Sequence, residues 1–428
     1  MNNTVQNYIY NKTKMLNWAD QFNIFCMLDS NNYTQAHSQF ECILAVGVHS
    51  SYNFTGHNDF EKLQQFYTNN PSWLFGHLGY NAAGNAYKHH TNDENEFSPG
   101  FFFAPYTIIQ LNNEGISILK SEIDKAALLQ QILQAELAVD TVDPSPINII
   151  PFFTKQKYKD TIATLQKHIK RGDCYEINFC KPFMANDVQI NATSTYLKLT
   201  QLSPTPFAAL YKHNHKYCIC ASPERYLQKK GTTLLSQPIK GTSMRSEDTL
   251  IDHQSKLFLL NSPKEKSENV MVVDLVRNDL STICTKASVQ VKELFGLYSF
   301  AQVHQMISTV VGQLHPNTSF TKAIAACYPM GSMTGAPKQK VMELIETYEP
   351  IARGLFSGCI GYIKPPSEGA YAEPDFDFNV VIRSIFYNKQ TCKLHFFAGS
   401  GITFYSDAEA EYQECLAKAK AIITVLKA

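Results

Sequence analysis

The sequence predicts an α+β fold, with strands and helices that are not arranged as a doubly wound parallel sheet. Roughly the first third is rich in strands and turns, as in FECILAVGVHSS, SWLFGHLGYN, GFFFAPYTIIQL and GISILKS. Strands and helices then mix, and no βαβ series typical of dinucleotide-binding domains is visible. The composition, 44% hydrophobic and 18% charged residues, fits a globular chain with a large core.

Composition also restricts the partners. The chain has 428 residues, 38 basic and 38 acidic, so its formal net charge is zero and gives no reason to expect nucleic acid or an anionic membrane as partner. The N-terminal MNNTVQNYIYNKTKMLNWAD lacks the apolar core of a signal peptide, and no apolar run approaches a membrane span. The eleven cysteines lack zinc-site spacing, so we expect reduced thiols in a cytoplasmic protein.

The chain divides into an N-terminal part over 1–150 and a C-terminal part over 151–428. A short helix is predicted over 122–136, and the proline-containing DPSPINIIPFFT (143–154) reads as a linker. A long helix is predicted over 155–171, because apolar residues recur there at helical spacing and Gly172 provides a stop.

A lysine stands in the middle of the chain, in the segment PIKGTSMR. The preceding KKGTTLLSQ predicts a strand, and Pro238 restricts Gln237 to an extended backbone. Gly241 allows the chain to pass closely by whatever lies beside it. Taken alone, Lys240 is more simply explained as a surface charge, so its role has to be inferred from other segments of the sequence.

Two predicted helices carry paired carboxylates. SPKEKSENVMVVDLVRNDLS opens with a capping box of Ser262 and Glu265 around Pro263, and Glu265 and Glu268 share one face. The last helix, about 407–427, opens with Ser406 and Glu409 as a second box, and carries on one face the residues Glu411, Glu414 and Lys418. Together the two pairs could hold a hard cation such as Mg²⁺. Unless the fold brings the helices together, two solvated helix faces are the simpler interpretation.

Three further segments are typical of anion sites. GSMTG precedes Pro337, which suits a first helical position, and helix N-termini bind carboxylate or phosphate. FFAGSGITF places Gly399 and Gly401 after a strand, where they permit close backbone approach to a ligand. DFNVVIRSIF puts Arg383 on a β-branched strand, where its guanidinium could grip a carboxylate. Each also fits a turn, a bulge or a surface arginine.

These residues together resemble the chorismate-utilising enzymes, the family of anthranilate, aminodeoxychorismate, isochorismate and salicylate synthases. The resemblance runs from about Lys155 to the C-terminus and is loose over the N-terminal third. It implies a large sandwich of two antiparallel β-sheets flanked by helices, with the N-terminal part completing the sandwich. Ten segments match in the family's order: GDCYEINFC, SPERYL, PIKGTSMR, SENVMVVDLVRNDLS, VHQMISTVVG, GSMTGAPK, RGLFSGCIGYI, DFNVVIRS, AGSGI and EAEYQECLAKA.

The resemblance implies a role for Lys240. Most family members carry alanine at this position, whereas the lysine is similar to the aminodeoxychorismate synthase branch. There the lysine is thought to add at C2 of chorismate as the C4 hydroxyl leaves, after which ammonia adds at C4 and expels the lysine. The amine then lies para to the ring carboxylate, as 4-aminobenzoate and folate biosynthesis require. Such a lysine must be neutral, and burial would lower its pKa.

The remaining roles also follow from the resemblance. Glu224 matches the general acid that protonates the departing hydroxyl. Glu268 and Glu414 match direct Mg²⁺ ligands, and Glu265 and Glu411 the carboxylates beside them. The positions that match the grip on the enolpyruvyl carboxylate are Arg383, Tyr362, Gly399 and Gly401. Other pocket positions are matched by Lys418, Gly241, Thr242, Thr334 and His304.

The sequence departs from the family pattern at Glu176. Amine-using members usually have glutamine there and water-using members lysine, so a glutamate could hold ammonium but cannot act as the lysine base that activates water. GITFYSDAEAEYQE also departs from the usual pattern before the last helix. Since no amidotransferase motif is present, the resemblance implies a separate glutamine amidotransferase chain that supplies ammonia.

Two alternatives remain open from the sequence. One is anthranilate synthase component I, whose product carries the amine ortho to the ring carboxylate. The other is a non-catalytic regulatory relative that kept the fold, against which stands the joint presence of Lys240, Glu224, Glu268 and Glu414.

Overall fold

The computed structural model describes residues 3–33, 37, 39–82, 97–136, 146–366 and 373–427. The first three residues of the predicted linker, 143–145, lie outside these ranges. The helices are α1 (Asn3–Ala19), α2 (Asp59–Asn69), α3 (Lys125–Gln134), α4 (Lys155–Arg171), α5 (Ala192–Leu202), α6 (Thr249–Asn261), α7 (Pro263–Ser281), α8 (Phe320–Cys327), α9 (Lys338–Tyr348) and α10 (Ala408–Lys427), with a 3₁₀ turn at Gly331–Met333.

The strands of the first sheet pair in the order β17-β9-β21-β20-β11-β10-β1-β2-β6-β7, with β8 beside β9. Their bounds are β1 (Ile24–Asp29), β2 (Cys42–Val46), β6 (Thr107–Asn112), β7 (Gly115–Lys120), β8 (Ile150–Pro151), β9 (Glu176–Ala185), β10 (Phe207–His213), β11 (Lys216–Ser222), β17 (Gly335–Ala336), β20 (Ser384–Asn388) and β21 (Lys393–Ile402).

The second sheet has the order β14-β16-β13-β12-β19-β18-β4-β5-β3, with β15 beside β16. Its strands are β3 (Ser50–Asn53), β4 (Leu74–Leu78), β5 (Gly100–Ala104), β12 (Arg225–Lys230), β13 (Thr233–Gln237), β14 (Ile239–Met244), β15 (Gln290–Ser299), β16 (Val303–Gln313), β18 (Cys359–Lys364) and β19 (Asp375–Val380). Strands from before residue 150 extend both sheets, so the N-terminal part is built into the whole sandwich.

Alternating side chains on the first sheet separate two cores. On β1, Cys26 belongs to the core between the sheets, whereas its neighbours Phe25 and Met27 belong to a second core on the outer face. This follows from the two-residue period of a strand. The outer core also contains apolar residues of α1, α3, α5 and α10, so helices cover this face. The predicted sandwich of antiparallel sheets flanked by helices is confirmed.

Local capping places two helices where the sequence predicts them. α4 ends at Gly172, which has a left-handed backbone (φ 90°) and whose N–H binds carbonyls of the last turn. α7 starts after Ser262, whose Oγ accepts a hydrogen bond from the Glu265 N–H, with Pro263 in the first turn. The Ser262 N–H donates to the Leu259 carbonyl rather than to Glu265, so half of the predicted capping box forms.

Other boundaries differ from the prediction. The cap of α10 is Asp407, which accepts a hydrogen bond from the Ala410 N–H at 2.8 Å, and Ser406 instead accepts one from the Thr403 N–H. The second predicted capping box is therefore wrong. Pro337 is the N-cap of α9 and not its first helical residue. The helix predicted over 122–136 is shorter, and the predicted linker contains the short strand β8.

All eleven cysteines lie in the described ranges and are free thiols, and nine of them are buried. They pack as small apolar residues in the cores, as expected for reduced cysteines. Among the described residues, no helix is long and apolar enough to cross a membrane.

Candidate active site

A cavity of about 400 Å³ opens where the ends of the two sheets meet α7 and α10. This volume is typical of small-molecule sites. Eleven of the sixteen predicted site residues line it: Glu224, Lys240, Gly241, Thr242, Glu265, Glu268, Arg383, Gly399, Gly401, Glu414 and Lys418. The two helices with paired carboxylates therefore converge on one cavity, which their separation in sequence could not establish.

Lys240 enters the cavity from a β-bulge. The register of β14 against β16 shifts between Ile239 and Thr242, so that Lys240 and Gly241 lie in the irregular segment. Bulges re-aim side chains beside active sites. Asn269 on α7 fixes this bulge, because its side-chain amide donates to the Lys240 and Met306 carbonyls at 3.4 Å each.

The Lys240 ammonium forms an ion pair with Glu176, and the side chain of Lys240 is 12% exposed. Gly401 leaves room for this pair, since a Cβ there would lie 2.7 Å from both Lys240 Nζ and Glu176 Oε1. Burial favours the neutral amine, but Glu176 and Glu268 outweigh it and raise the pKa of Lys240. The pKa of Lys240 is therefore raised and not lowered as expected, because the lysine faces several carboxylates.

Glu224 lies in the two-residue link between β11 and β12 and is buried. Burial raises its pKa to about 7, although hydrogen bonds from Ser332 and the Ile239 N–H and the charges of Lys240 and Arg383 oppose the rise. A carboxyl group with this pKa is partly protonated near neutral pH, as a general acid requires.

The sequence predicted Arg383 on a strand, but the residue lies in the link between β19 and β20. Its φ of 51° is left-handed, which is unusual for a residue with a long side chain and is found mainly at functional sites. This backbone turn directs the guanidinium into the cavity. Burial lowers the pKa of Arg383 to about 10, against the opposing charge of Glu224.

The sequence predicted Gly399 and Gly401 after a strand, but both lie inside β21. They pair with Cys180 and Asn178 of β9. A Cβ on Gly399 would overlap the Phe179 carbonyl, so only glycine fits there. Lys418 Nζ donates to the Gly399 carbonyl at 2.9 Å and pairs with Glu414 Oε1 at 2.7 Å. The strand end and α10 are thereby joined at the rim of the cavity.

The carboxylates of α7 and α10 face each other across Lys264. Its Nζ lies 3.1 Å from Glu411 Oε1 and 3.8 Å from Glu268 Oε1. Two buried oxygens, Glu268 Oε1 and Glu411 Oε2, accept no hydrogen bond from the described residues. Such oxygens suit a hard cation, so the donor set fits Mg²⁺. In the described ranges, however, no three acidic, histidine or cysteine side chains already converge as a metal site.

Five of the sixteen predicted residues do not line the cavity: Glu176, Glu411, His304, Thr334 and Tyr362. His304 is buried and points to Ser299 Oγ at 2.8 Å and Asp252 Oδ1 at 3.1 Å. Thr334 Oγ1 donates to the Met330 carbonyl at 3.1 Å and closes its own loop. The side chains of His304 and Thr334 are buried in the protein interior, where His304 stabilises the β14–β16 pair and Thr334 stabilises the GSMTG loop.

Tyr362 lies in a different, smaller cavity of about 50 Å³, beside Asp377 and Phe40. Tyr362 therefore does not line the large cavity, and its contact with substrate stays a prediction. Phe356 lines the large cavity instead, six residues earlier in the same segment.

Sequence reasoning missed Asn269, Ser332 and Phe356. Ser332 hydrogen-bonds Glu224, and Asn269 fixes the bulge that carries Lys240. The only available signals were their positions, Asn269 directly after Glu268 and Ser332 inside the GSMTG loop.

Comparison with known proteins identifies the family of the chain. A family model described as chorismate binding enzyme matches residues 15–424. The chain is 30% identical over 363 residues to the anthranilate synthase component I-like protein of Synechocystis, covering 83% of this chain and 72% of that protein. It is 33% identical over 274 residues to aminodeoxychorismate synthase component 1 of Escherichia coli, covering 64% of this chain and 58% of that protein.

The crystal structure of anthranilate synthase component I from Streptococcus pneumoniae superimposes with a TM-score of 0.75 at 25% identity, covering 92% of this chain and 95% of that one. The matched segment of the E. coli relative is thus little over half of that protein's length, whereas the fold matches almost throughout. The chain belongs to the chorismate-binding enzyme family.

Proposed function

We propose that this enzyme is an aminodeoxychorismate synthase component I, which converts chorismate and ammonia to 4-amino-4-deoxychorismate for 4-aminobenzoate and folate biosynthesis. The observation that carries the proposal is the position of Lys240. It projects from a bulge into the cavity, beside Glu176 and opposite the acid Glu224, and is not a surface charge. The similarity to the E. coli protein of that name supports the same reading.

In the proposed reaction Lys240 acts as a covalent nucleophile. Its neutral amine forms a C–N bond at C2 of chorismate while both ring double bonds shift by one position and the C4–O bond breaks. The hydroxyl leaves as water with a proton from Glu224. Ammonia then forms a C–N bond at C4, both double bonds shift back, and the C2–N bond to Lys240 breaks. Two successive displacements place the amine para to the ring carboxylate.

Glu176 is the second element of the proposal. Its Oε1 contacts Lys240, and its Oε2 is buried without a hydrogen-bond partner among the described residues. A buried carboxylate oxygen without a donor is a suitable acceptor for ammonium. Glu176 would therefore receive the ammonium or help to deprotonate it beside C4.

The glutamates of α7 and α10 would hold Mg²⁺, with Glu268 and Glu414 as direct ligands and Glu265 and Glu411 beside them. The ion would neutralise and orient the ring carboxylate and would offset the negative charges that raise the pKa of Lys240. Arg383 and the backbone at Gly399 and Gly401 would bind the enolpyruvyl carboxylate, because they line the same cavity.

We further propose that a separate glutamine amidotransferase chain supplies the ammonia and that the enzyme works in the cytoplasm. High concentrations of ammonium should replace this partner in vitro, so the activity of the isolated chain can be assayed.

The direct test is incubation with chorismate, Mg²⁺ and ammonium, followed by chromatography with and without an added 4-amino-4-deoxychorismate lyase. We expect a product that yields 4-aminobenzoate only with the lyase. Anthranilate with direct release of pyruvate would instead identify an anthranilate synthase, the activity named for the superimposed Streptococcus structure. No product under either condition would favour a regulatory relative.

A further inference from the structure

Lys264 occupies the space between the two carboxylate-bearing helices. It lies in the first turn of α7, its side chain is 45% exposed, and its Nζ reaches Glu411 Oε1 at 3.1 Å across the gap to α10. It also lies 3.8 Å from Glu268 Oε1, one turn farther along α7. Lys264 therefore links Glu268, which the proposed function makes a direct ligand of the metal, to Glu411, which it places beside the metal.

This arrangement differs from an ordinary surface pair. In Lys340–Glu343 both side chains are largely exposed, at 44% and 58%, and such pairs contribute little. The Glu411 side chain is 1% exposed and that of Glu268 is 9% exposed. Each has an oxygen without a hydrogen-bond donor in the described part of the chain. Buried carboxylates need a compensating positive charge, which Lys264 supplies at Glu411 and shares with Lys240 at Glu268.

The same two carboxylates suit a divalent cation, which could not approach them while an ammonium group stays at 3–4 Å. Because the Lys264 side chain is half exposed and flexible, it can move out into solvent, where an ammonium group is strongly hydrated. Metal and lysine are thus alternative counter-charges for one pair of buried glutamates.

We propose that Lys264 is an internal counter-cation of the glutamate site, which joins α7 to α10 in the metal-free enzyme and must leave Glu411 and Glu268 before a divalent cation binds. The proposal rests on the proposed function only in taking these glutamates as metal ligands. Its consequence is that metal affinity is set partly by this lysine and not by the carboxylates alone.

The test measures metal binding without chorismate. Mn²⁺, which prefers the same oxygen ligands, is titrated into the wild type, Lys264→Met and Lys264→Arg, and free Mn²⁺ is followed by electron paramagnetic resonance. Lys264→Met should bind Mn²⁺ about five- to tenfold more tightly than the wild type, because the competing charge is gone. Lys264→Arg, which keeps the charge, should stay within about twofold of the wild type.

Lys266→Met is the matched control, since it removes one positive charge from the same helix at a side chain that lies over the Phe295 ring. It should change Mn²⁺ affinity by less than about twofold. Thermal melting gives a second readout. Without metal, Lys264→Met should melt below the wild type, and saturating Mg²⁺ should raise its melting temperature more than that of the wild type.

Unchanged or weaker Mn²⁺ binding by Lys264→Met, or equal gains in Lys264→Met and Lys266→Met, would overturn the proposal. The absence of detectable binding to Lys264→Met at millimolar Mn²⁺ would overturn it as well. Neither result depends on the identity of the reaction product, so a failed aminodeoxychorismate assay and a failed metal titration are distinguishable.

Discussion

Lys240 is surrounded by charges that favour its ammonium form, whereas the proposed attack on chorismate needs the neutral amine. Burial acts in the required direction, but Glu176 and Glu268 outweigh it. A dicarboxylate substrate alone would add further negative charge. The residue can therefore act as a nucleophile only if positive charge arrives near Glu268 or if a neighbouring carboxylate accepts its proton. Both possibilities are open to this site, through the glutamate pairs and through Glu176.

The raised pKa of Glu224 predicts how the turnover rate depends on pH. Its pKa is raised from 4.5 to about 7, so the fraction that can donate a proton falls as the pH rises through about 7. The turnover rate should therefore decline on the alkaline side with an apparent pKa near this value. Glu224→Gln, which cannot donate the proton, should lower the rate by about 10²- to 10⁴-fold. A pH–rate profile of both proteins checks this. The assignment would be wrong if the same alkaline decline persisted in the residual activity of Glu224→Gln.

The position of Glu176 beside Lys240 predicts an influence on whether ammonia or water adds to the substrate. Glu176→Gln, the residue usual in relatives, should keep activity, because an amide can still bind Lys240 and ammonia. Glu176→Lys should divert part of the flux to water addition and isochorismate-like products, which chromatography of the mixture would show. If the lysine variant remained fully active with ammonia and formed no such product, the position would have no part in selecting the nucleophile.

At the scale of elements, α7 and α10 matter because Glu265 and Glu268 of α7 and Glu414 of α10 line the same cavity. Glu268→Gln and Glu414→Gln should each abolish turnover and leave the fold intact, because each removes an anionic oxygen from the proposed Mg²⁺ site. The assay is turnover against Mg²⁺ concentration, with circular dichroism as the check of folding.

Glu409→Gln is the control for these variants. Glu409 lies in the first turn of α10 but pairs with Lys155 and Lys159 on the outer side of the helix. It should keep normal turnover and Mg²⁺ dependence. Normal rates in Glu268→Gln or Glu414→Gln would remove those residues from the site.

Elements with local signals were predictable from the sequence. α4 and α7 start and end where Gly172, Ser262 and Pro263 place them, because caps act within one turn. Features that depend on contacts between distant segments were not. The bulge at Lys240 is held by Asn269, which lies on helix α7. The left-handed backbone of Arg383 occurs in the link between two strands.

The positions of Tyr362 and His304 away from the large cavity have a related cause. Both lie on strands, where successive side chains point to opposite faces, so that a shift of one residue moves a side chain to the other face. A resemblance in sequence fixes the strand but not the face that this chain turns to the cavity. The structure assigns the cavity to Phe356 and leaves His304 with Ser299 and Asp252.

At the scale of the whole molecule, one buried ion pair joins the parts that frame the cavity. Arg353 and Glu349 bind each other at 2.6 Å, and both are almost fully buried. Arg353 also donates to the Met333 and Asn178 carbonyls at 2.7 Å, and Glu349 accepts from the Cys180 N–H at 2.8 Å. The pair thus connects the GSMTG loop to β9, which carries Glu176 at its start.

Removing one partner should be costly. Arg353→Met leaves a buried carboxylate without its counter-charge and should lower the free energy of unfolding by about 3–5 kcal/mol. Arg277→Met, which removes a half-exposed partner of Asp274, should change it by less than about 1 kcal/mol. Guanidinium unfolding of the two variants compares them. Equal stabilities would show that the buried pair does not hold these segments together.

The most direct test of the account concerns the covalent intermediate on Lys240. The enzyme is incubated with chorismate and Mg²⁺ in the absence of ammonia, and intact-protein mass spectrometry and peptide mapping follow. We predict an adduct with the mass of chorismate less water on Lys240, no adduct on Lys240→Ala, and almost no activity in Lys240→Arg, because a guanidinium stays protonated and cannot attack. An active Lys240→Arg variant together with no detectable adduct on the wild type would contradict the covalent mechanism.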